Sequence, residues 1–237
     1  MVVALAMDWQ ELLFANWPVD PGVVDAHLPD ALDVDTHDGR AWLSVVPFTN
    51  AAVRPKGVPA PLGVDLPELN LRTYVTCEGT PSVYFFSLDA EGVLGVLGAR
   101  LFHHLSYYYA RMTHRRSESG ASRFVSRRLH PGARPVHFAA TYEPAGERLD
   151  PEPDSLAAFL TERYRFHTEA PDGTVRYSTV EHDPWPLYPA KVRVDENTVF
   201  RANGFADPGG EPVHYYSPGV EITASASEIQ CIRLPPE

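Results

Sequence analysis

Lysine is almost missing from this chain: Lys56 and Lys191 stand against eighteen arginines in 237 residues. A coding bias toward arginine and adaptation to high salt both account for the imbalance, and the sequence does not separate them. Cysteine is equally scarce. Cys77 and Cys231 build no disulfide framework and lack metal-ligand spacing, so each reads as a small buried apolar residue. No apolar run approaches the roughly 18 residues that a membrane span needs. The opening MVVALAMDWQ has no basic leader and no clear cleavage site, so no signal peptide is read and the expected location is the cytoplasm. A phosphate loop, a dinucleotide glycine fingerprint and a G-x-S-x-G elbow are all lacking, and no cofactor is implied. His103-His104 with His114 is a poor metal set. Adjacent histidines on a strand point to opposite faces, and no paired carboxylate completes a site.

Negative charge is plentiful, but one stretch departs from it. The net charge is −11, yet Arg100 to Arg134 holds eight arginines, no lysine and the single acid Glu118, for +7. The other 202 residues carry −18. The field of such a molecule repels nucleic acid, though the basic segment could draw a small anion locally. The plainer reading is that these arginines pair with acids elsewhere in the fold.

Twenty-three prolines and sixteen glycines are spread along the chain, which indicates many turns between short strands. Strands are expected over 39–48, 68–77, 82–89, 136–142, 175–180, 191–194, 198–202 and 221–227. In ELNLRTYVTC, Leu69, Leu71, Thr73 and Val75 share one face and Glu68, Asn70, Arg72 and Tyr74 the other. SVYFFSLD is apolar on both faces and suits a strand buried between layers. Helices are few. One is expected from Asp20 to Leu28, a second over 154–164, and a third beginning at a Ser106 cap with Tyr107 to Met112 as its first turns. The aromatic-proline run Pro184 to Pro189 is expected to turn a corner and pack on the core. This describes one α+β domain over 1–237, mainly antiparallel β.

Six segments together carry a resemblance: FANWPVDPGVVDAHLPDAL, DGRAWLSVVPF, PELNLRTYV, VYFFSLDA, LGARLFHHLSYYYARM and HDPWPLYPA. Their order resembles the YqjF-like family of uncharacterised proteins, in the acetoacetate decarboxylase-like superfamily. The resemblance spans nearly the whole chain. It implies a conical or open β-barrel wrapped by additional strands, enclosing a small-molecule cavity. In acetoacetate decarboxylases a lysine pair does the chemistry: one lysine forms a Schiff base and its neighbour depresses its pKa. Laid on this chain through Arg100, that pair falls on Tyr107 and Tyr108, which cannot form an iminium. A pocket glutamate of the family falls on Glu68. Lys56, in a proline-rich loop, and Lys191, leading a strand, read as solvated surface residues.

The resemblance therefore implies a phenol-lined site. Glu68 is the candidate acid or base, held ionised by Arg72 on the same strand face, and Tyr107 donates a hydrogen bond at a helix N-terminus. Arg72, Tyr74, Arg100, His103, Tyr108 and Arg111 are the candidate binding residues, with the arginines gripping a carboxylate. Against this stands the reading of the Glu68/Arg72 face as the wet side of a sheet and of the tyrosines as core. The expected partner is a small organic acid or carbonyl compound, with no metal, nucleic acid or membrane, and a homo-oligomer left open. Three functions follow in order: a small-molecule-binding protein that handles such a compound, by lysine-independent acid–base chemistry if it is catalytic; a non-catalytic binding or sensor module; and a decarboxylase with a displaced lysine.

Overall fold

The computed structural model describes residues 4–92, 107–170, 173–225 and 228–229. Among them are thirteen strands in one sheet. The first five are β1 (Leu5–Val19), β2 (Asp33–Val34), β3 (Ala41–Pro55), β4 (Val64–Cys77) and β5 (Thr80–Ala90). Next come β6 (Tyr107–Arg116), β7 (Ser122–Arg128), β8 (His137–Pro144), β9 (Arg165–Glu169) and β10 (Val175–Glu181). The last are β11 (Tyr188–Asn197), β12 (Val213–Ala224) and β13 (Glu228–Ile229). Three short helices join them: α1 (Pro21–Asp25), α2 (Leu156–Thr161) and α3 (Val199–Ala202). Nearly all pairings are antiparallel; β5 pairs in parallel with β6 and β9.

The sheet closes on itself as rings rather than as one regular barrel. Following neighbours from β5 through β6, β7, β8, β11, β12, β1 and β3 leads to β4, which pairs back to β5. A second circuit runs from β5 through β9 and β10 to β12, then through β1, β3 and β4. The two rings share a wall made of β12, β1, β3, β4 and β5. That sharing explains why β1, β3 and β4 are buried on both faces over long runs. Leu13, Val45, Leu71, Met112, Phe124 and Phe138 fill the nine-strand ring. Leu12, Phe14, Val46, Phe48, Trp185 and Leu187 pack on the other side of the wall. Trp185 and Leu187 belong to the aromatic-proline run, which turns onto the core as expected.

Local chemistry sets the helix ends. The Asp20 side chain accepts from Gly22 N–H to start α1, and the Ser155 hydroxyl accepts from Ala158 N–H to start α2. Two expectations are corrected. Tyr107 to Met112 are strand, not helix. Ala110 and Met112 point into the core, while Tyr109, Arg111 and Thr113 point out, a period of two that a serine cap does not override. Ser106 itself lies outside the described residues. Residues 199–202 form α3 rather than a strand. Asn197 accepts from Val199 N–H at the start, and Gly204 at φ +89° follows its end. Strands β1, β7 and β9 lie where the sequence pattern gave no strand.

Candidate functional site

The site stands where β4, β5 and β6 meet. Asn70 pairs with Leu88 across β4 and β5, and Leu88 pairs with Tyr107 across β5 and β6. These residues and Glu68 therefore turn to the same side of the wall, away from the nine-strand ring. The Tyr107 hydroxyl donates to Glu68 Oε2 at 2.9 Å. Glu68 is 5% exposed, and a second hydrogen bond reaches it from Asn50. Burial pushes the Glu68 carboxyl up to about 7; the bonds from Tyr107 and Asn50 oppose this, and the Asp89 charge adds to it. Burial, with the adjoining carboxylate, holds the Tyr107 phenol well above its ordinary pKa, so it stays a neutral donor.

Across the same wall lies a second buried acid. Asp89 pairs with Leu69 and faces the other way from Glu68. Its Oδ1 accepts from Arg128 Nε at 2.7 Å, and the two side chains are 1% and 3% exposed. Burial still outweighs the arginine and raises Asp89 to about 6. The Arg128 guanidinium lies 4.1 Å from the Tyr108 ring centre, and Tyr108 meets His130 edge-on at 5.5 Å. A cleft of about 450 Å³ opens here, lined by Tyr108, Arg128, His130, Arg134 and Asn203 among others. Strand alternation thus sends Tyr107 to Glu68 and its neighbour Tyr108 to Arg128, the partner of Asp89.

The remaining sequence candidates separate. Arg72 does not pair with Glu68: its Nη2 donates to the Leu160 carbonyl at 2.9 Å, and the guanidinium packs over Phe14 at 5.3 Å. A carbonyl in the last turn of α2 has no intrahelical donor, and the arginine supplies one. The Tyr74 hydroxyl donates to the same carbonyl at 2.8 Å and is fully buried. The face expected to be wet is dry from Glu68 to Tyr74 because the second ring covers it. Without an adjacent cation, Glu68 is pushed toward neutrality instead of being held ionised. Arg111 is exposed on the outer face of β6. Arg100 and His103 lie outside the described residues.

Sequence reasoning missed Asn50, Asp89 and Arg128. A lone aspartate at the end of the apolar SVYFFSLD run was the available signal for Asp89, since a carboxylate there must find a cation when buried. Both lysines are exposed, Lys191 lying 3.6 Å from Glu143. The His114 ring is engaged at both nitrogens, by Thr49 at 2.7 Å and Tyr142 at 2.9 Å. Among the described residues no group of three or more potential ligands could hold a metal ion. None of their helices is long and apolar enough to cross a membrane. A larger cleft, about 690 Å³ beside α2, is lined by Asp35, Phe159, Arg163 and Trp185 but by neither Glu68 nor Tyr107.

Residues 6–221 match the family DUF2071, described as an uncharacterized conserved protein. The chain is 41% identical over 210 residues to the uncharacterized protein YqjF of Bacillus subtilis strain 168, covering 88% of this chain and 85% of that one. Among solved structures, the enduracididine biosynthesis enzyme MppR complexed with pyruvate superposes with a TM-score of 0.69 at 11% identity. That alignment covers 97% of this chain and 91% of the other. An acetoacetate decarboxylase-like enzyme from Sphingomonas wittichii RW1 superposes with a TM-score of 0.66 at 14% identity, over 97% and 93% of the two chains. The protein therefore belongs to the DUF2071 family, with YqjF as a relative, and has the acetoacetate decarboxylase-like fold.

Proposed function

We propose that this protein binds a small organic acid or other carbonyl compound beside Glu68 and exchanges a proton with it, without a Schiff base. The observation that carries the reading is the buried Glu68–Tyr107 hydrogen bond, with the Glu68 carboxyl near pH 7. A carboxyl poised there can take a proton from a carbon next to a carbonyl and return it. The Tyr107 O–H, neutral throughout, would turn from Glu68 to the carbonyl oxygen as negative charge develops on it. The structural neighbour complexed with pyruvate supports a small carbonyl ligand on this fold. Exposure of both lysines supports chemistry that does not use them. We place the protein in the cytoplasm on the same reading.

Deuterium exchange into pyruvate and acetoacetate, followed by NMR, tests the proposal. Glu68→Gln is expected to slow exchange about 10²-fold or more, and Tyr107→Phe by a comparable factor, with ligand affinity retained. Saturable binding without exchange in the unmutated protein would reduce it to a binding module. Absence of both would remove the site. Borohydride treatment in the presence of acetoacetate is expected to leave the mass of the chain unchanged.

A further inference from the structure

Part of the basic segment finds acids: Arg116 pairs with Glu11, Arg123 with Asp195 and Arg128 with Asp89. Arg111, Arg115 and Arg127 do not. All three are exposed, and among the described residues none forms an ion pair. The register makes this costly, because Arg111 stands directly opposite Arg127, and Arg115 opposite Arg123. Like charges directly opposed on an antiparallel pair destabilise the sheet. On a chain of net charge −11, an uncompensated basic face is a local feature rather than the general field of the molecule.

Its position relates it to the candidate site. Tyr107, Tyr109, Arg111 and Arg115 share the face of β6 that turns away from the core. At about 3.4 Å per residue, Arg111 lies roughly 14 Å along the strand from Tyr107. Tyr109 and Leu129 lie between them, joined by the Leu129 N–H to the Tyr109 carbonyl, and Leu129 is 52% exposed. This face of β6 thus runs from Tyr107, whose hydroxyl reaches the buried Glu68, through an aromatic and apolar stretch to two facing guanidinium groups.

We propose that the ligand handled at Glu68 carries a phosphate or diphosphate group on an extended arm, and that Arg111 and Arg127 seat that group. The inference rests on the proposed role of Glu68 and names the class of compound that role would serve. Guanidinium groups bind phosphate oxygens bidentately, and a facing pair relieves its own repulsion when a dianion lies between its members. A free acid the size of pyruvate would not reach from Tyr107 to Arg111; a compound with a flexible arm would.

Coenzyme A is the probe, with pantetheine as the same arm without the phosphates, both titrated against the full chain. Coenzyme A is expected to bind at least tenfold more tightly than pantetheine, with affinity falling as salt rises. The double variant Arg111→Ala/Arg127→Ala is expected to lose at least tenfold in coenzyme A affinity and to show a shallower salt dependence. Inorganic pyrophosphate should compete. Equal affinity for the two probes, or unchanged binding by the double variant, would overturn the proposal. So would arginine-dependent retention on phosphatidylglycerol vesicles without coenzyme A binding. Such a failure with Glu68-dependent deuterium exchange intact removes only the phosphate arm. Coenzyme A binding without that exchange removes only the role given to Glu68.

Discussion

Glu68 and Tyr107 are held together by one hydrogen bond in a dry place, and the consequence for pH is direct. The carboxyl titrates at 4.5 when unfolded and at about 7 when folded. Its contribution to stability is therefore complete below about pH 4.5 and is lost as pH rises through 7, when a charge must be buried. The loss is on the order of 3 kcal/mol at most. His114 and His214 act in the opposite sense, since burial lowers both to about 4 and stability rises with pH as their unfolded forms lose protons. A difference measurement cancels them. Glu68→Gln removes the titration, so denaturant unfolding should show the variant gaining on the parent from pH 5 to pH 8. A pH-independent difference would place the Glu68 carboxyl near its ordinary pKa and undo the acid–base argument.

Among the elements, β12 meets β1 at a point with no room for a side chain. Gly219 has φ +132° and pairs with Gln10, and a Cβ there would stand 2.0 Å from the Trp9 carbonyl oxygen. The adjacent Pro218 donates no hydrogen bond, and Glu11, at φ +55°, completes the irregularity on β1. The Glu11 carboxylate fastens this point to other strands, accepting from Ser122 Oγ at 2.6 Å and the Tyr216 hydroxyl at 3.0 Å. Gly219→Ala adds both backbone strain and a clash with main chain that cannot move aside. It should cost at least about 2 kcal/mol in a urea titration. A change under 0.5 kcal/mol, the range of ordinary surface substitutions, would contradict the tight crossing.

The molecule as a whole is organised by the shared wall. Residues such as Leu13, Leu43 and Leu71 face one ring while their neighbours Phe14, Ser44 and Arg72 face the other, all nearly inaccessible. Opening either ring would put the apolar wall into water, which ties ring opening to global unfolding, so the wall's amides should exchange with solvent only then. Hydrogen exchange should give β1, β3 and β4 the greatest protection, and β7 and β11, which each have an exposed face, less. Equal or lower protection in β3 and β4 would mean that the rings open independently of the wall.

The sequence alone determined much of this. Period-two patterning located most strands, because side-chain alternation is a local property of extended chain, and Asp20 and Ser155 marked helix starts through hydrogen bonds to residues two or three positions away. Glu68 and Tyr107 were legible as candidates, but their contact spans 39 residues and depends on how β4, β5 and β6 are registered. Only the tertiary structure decided that Arg72 serves a helix carbonyl, that Asp89 and Arg128 are a buried pair, and that the polar face of β4 is dry. Each outcome is fixed by what closes over a residue from a distant part of the chain, and burial, which sets the Glu68 proton, is a property of that closure.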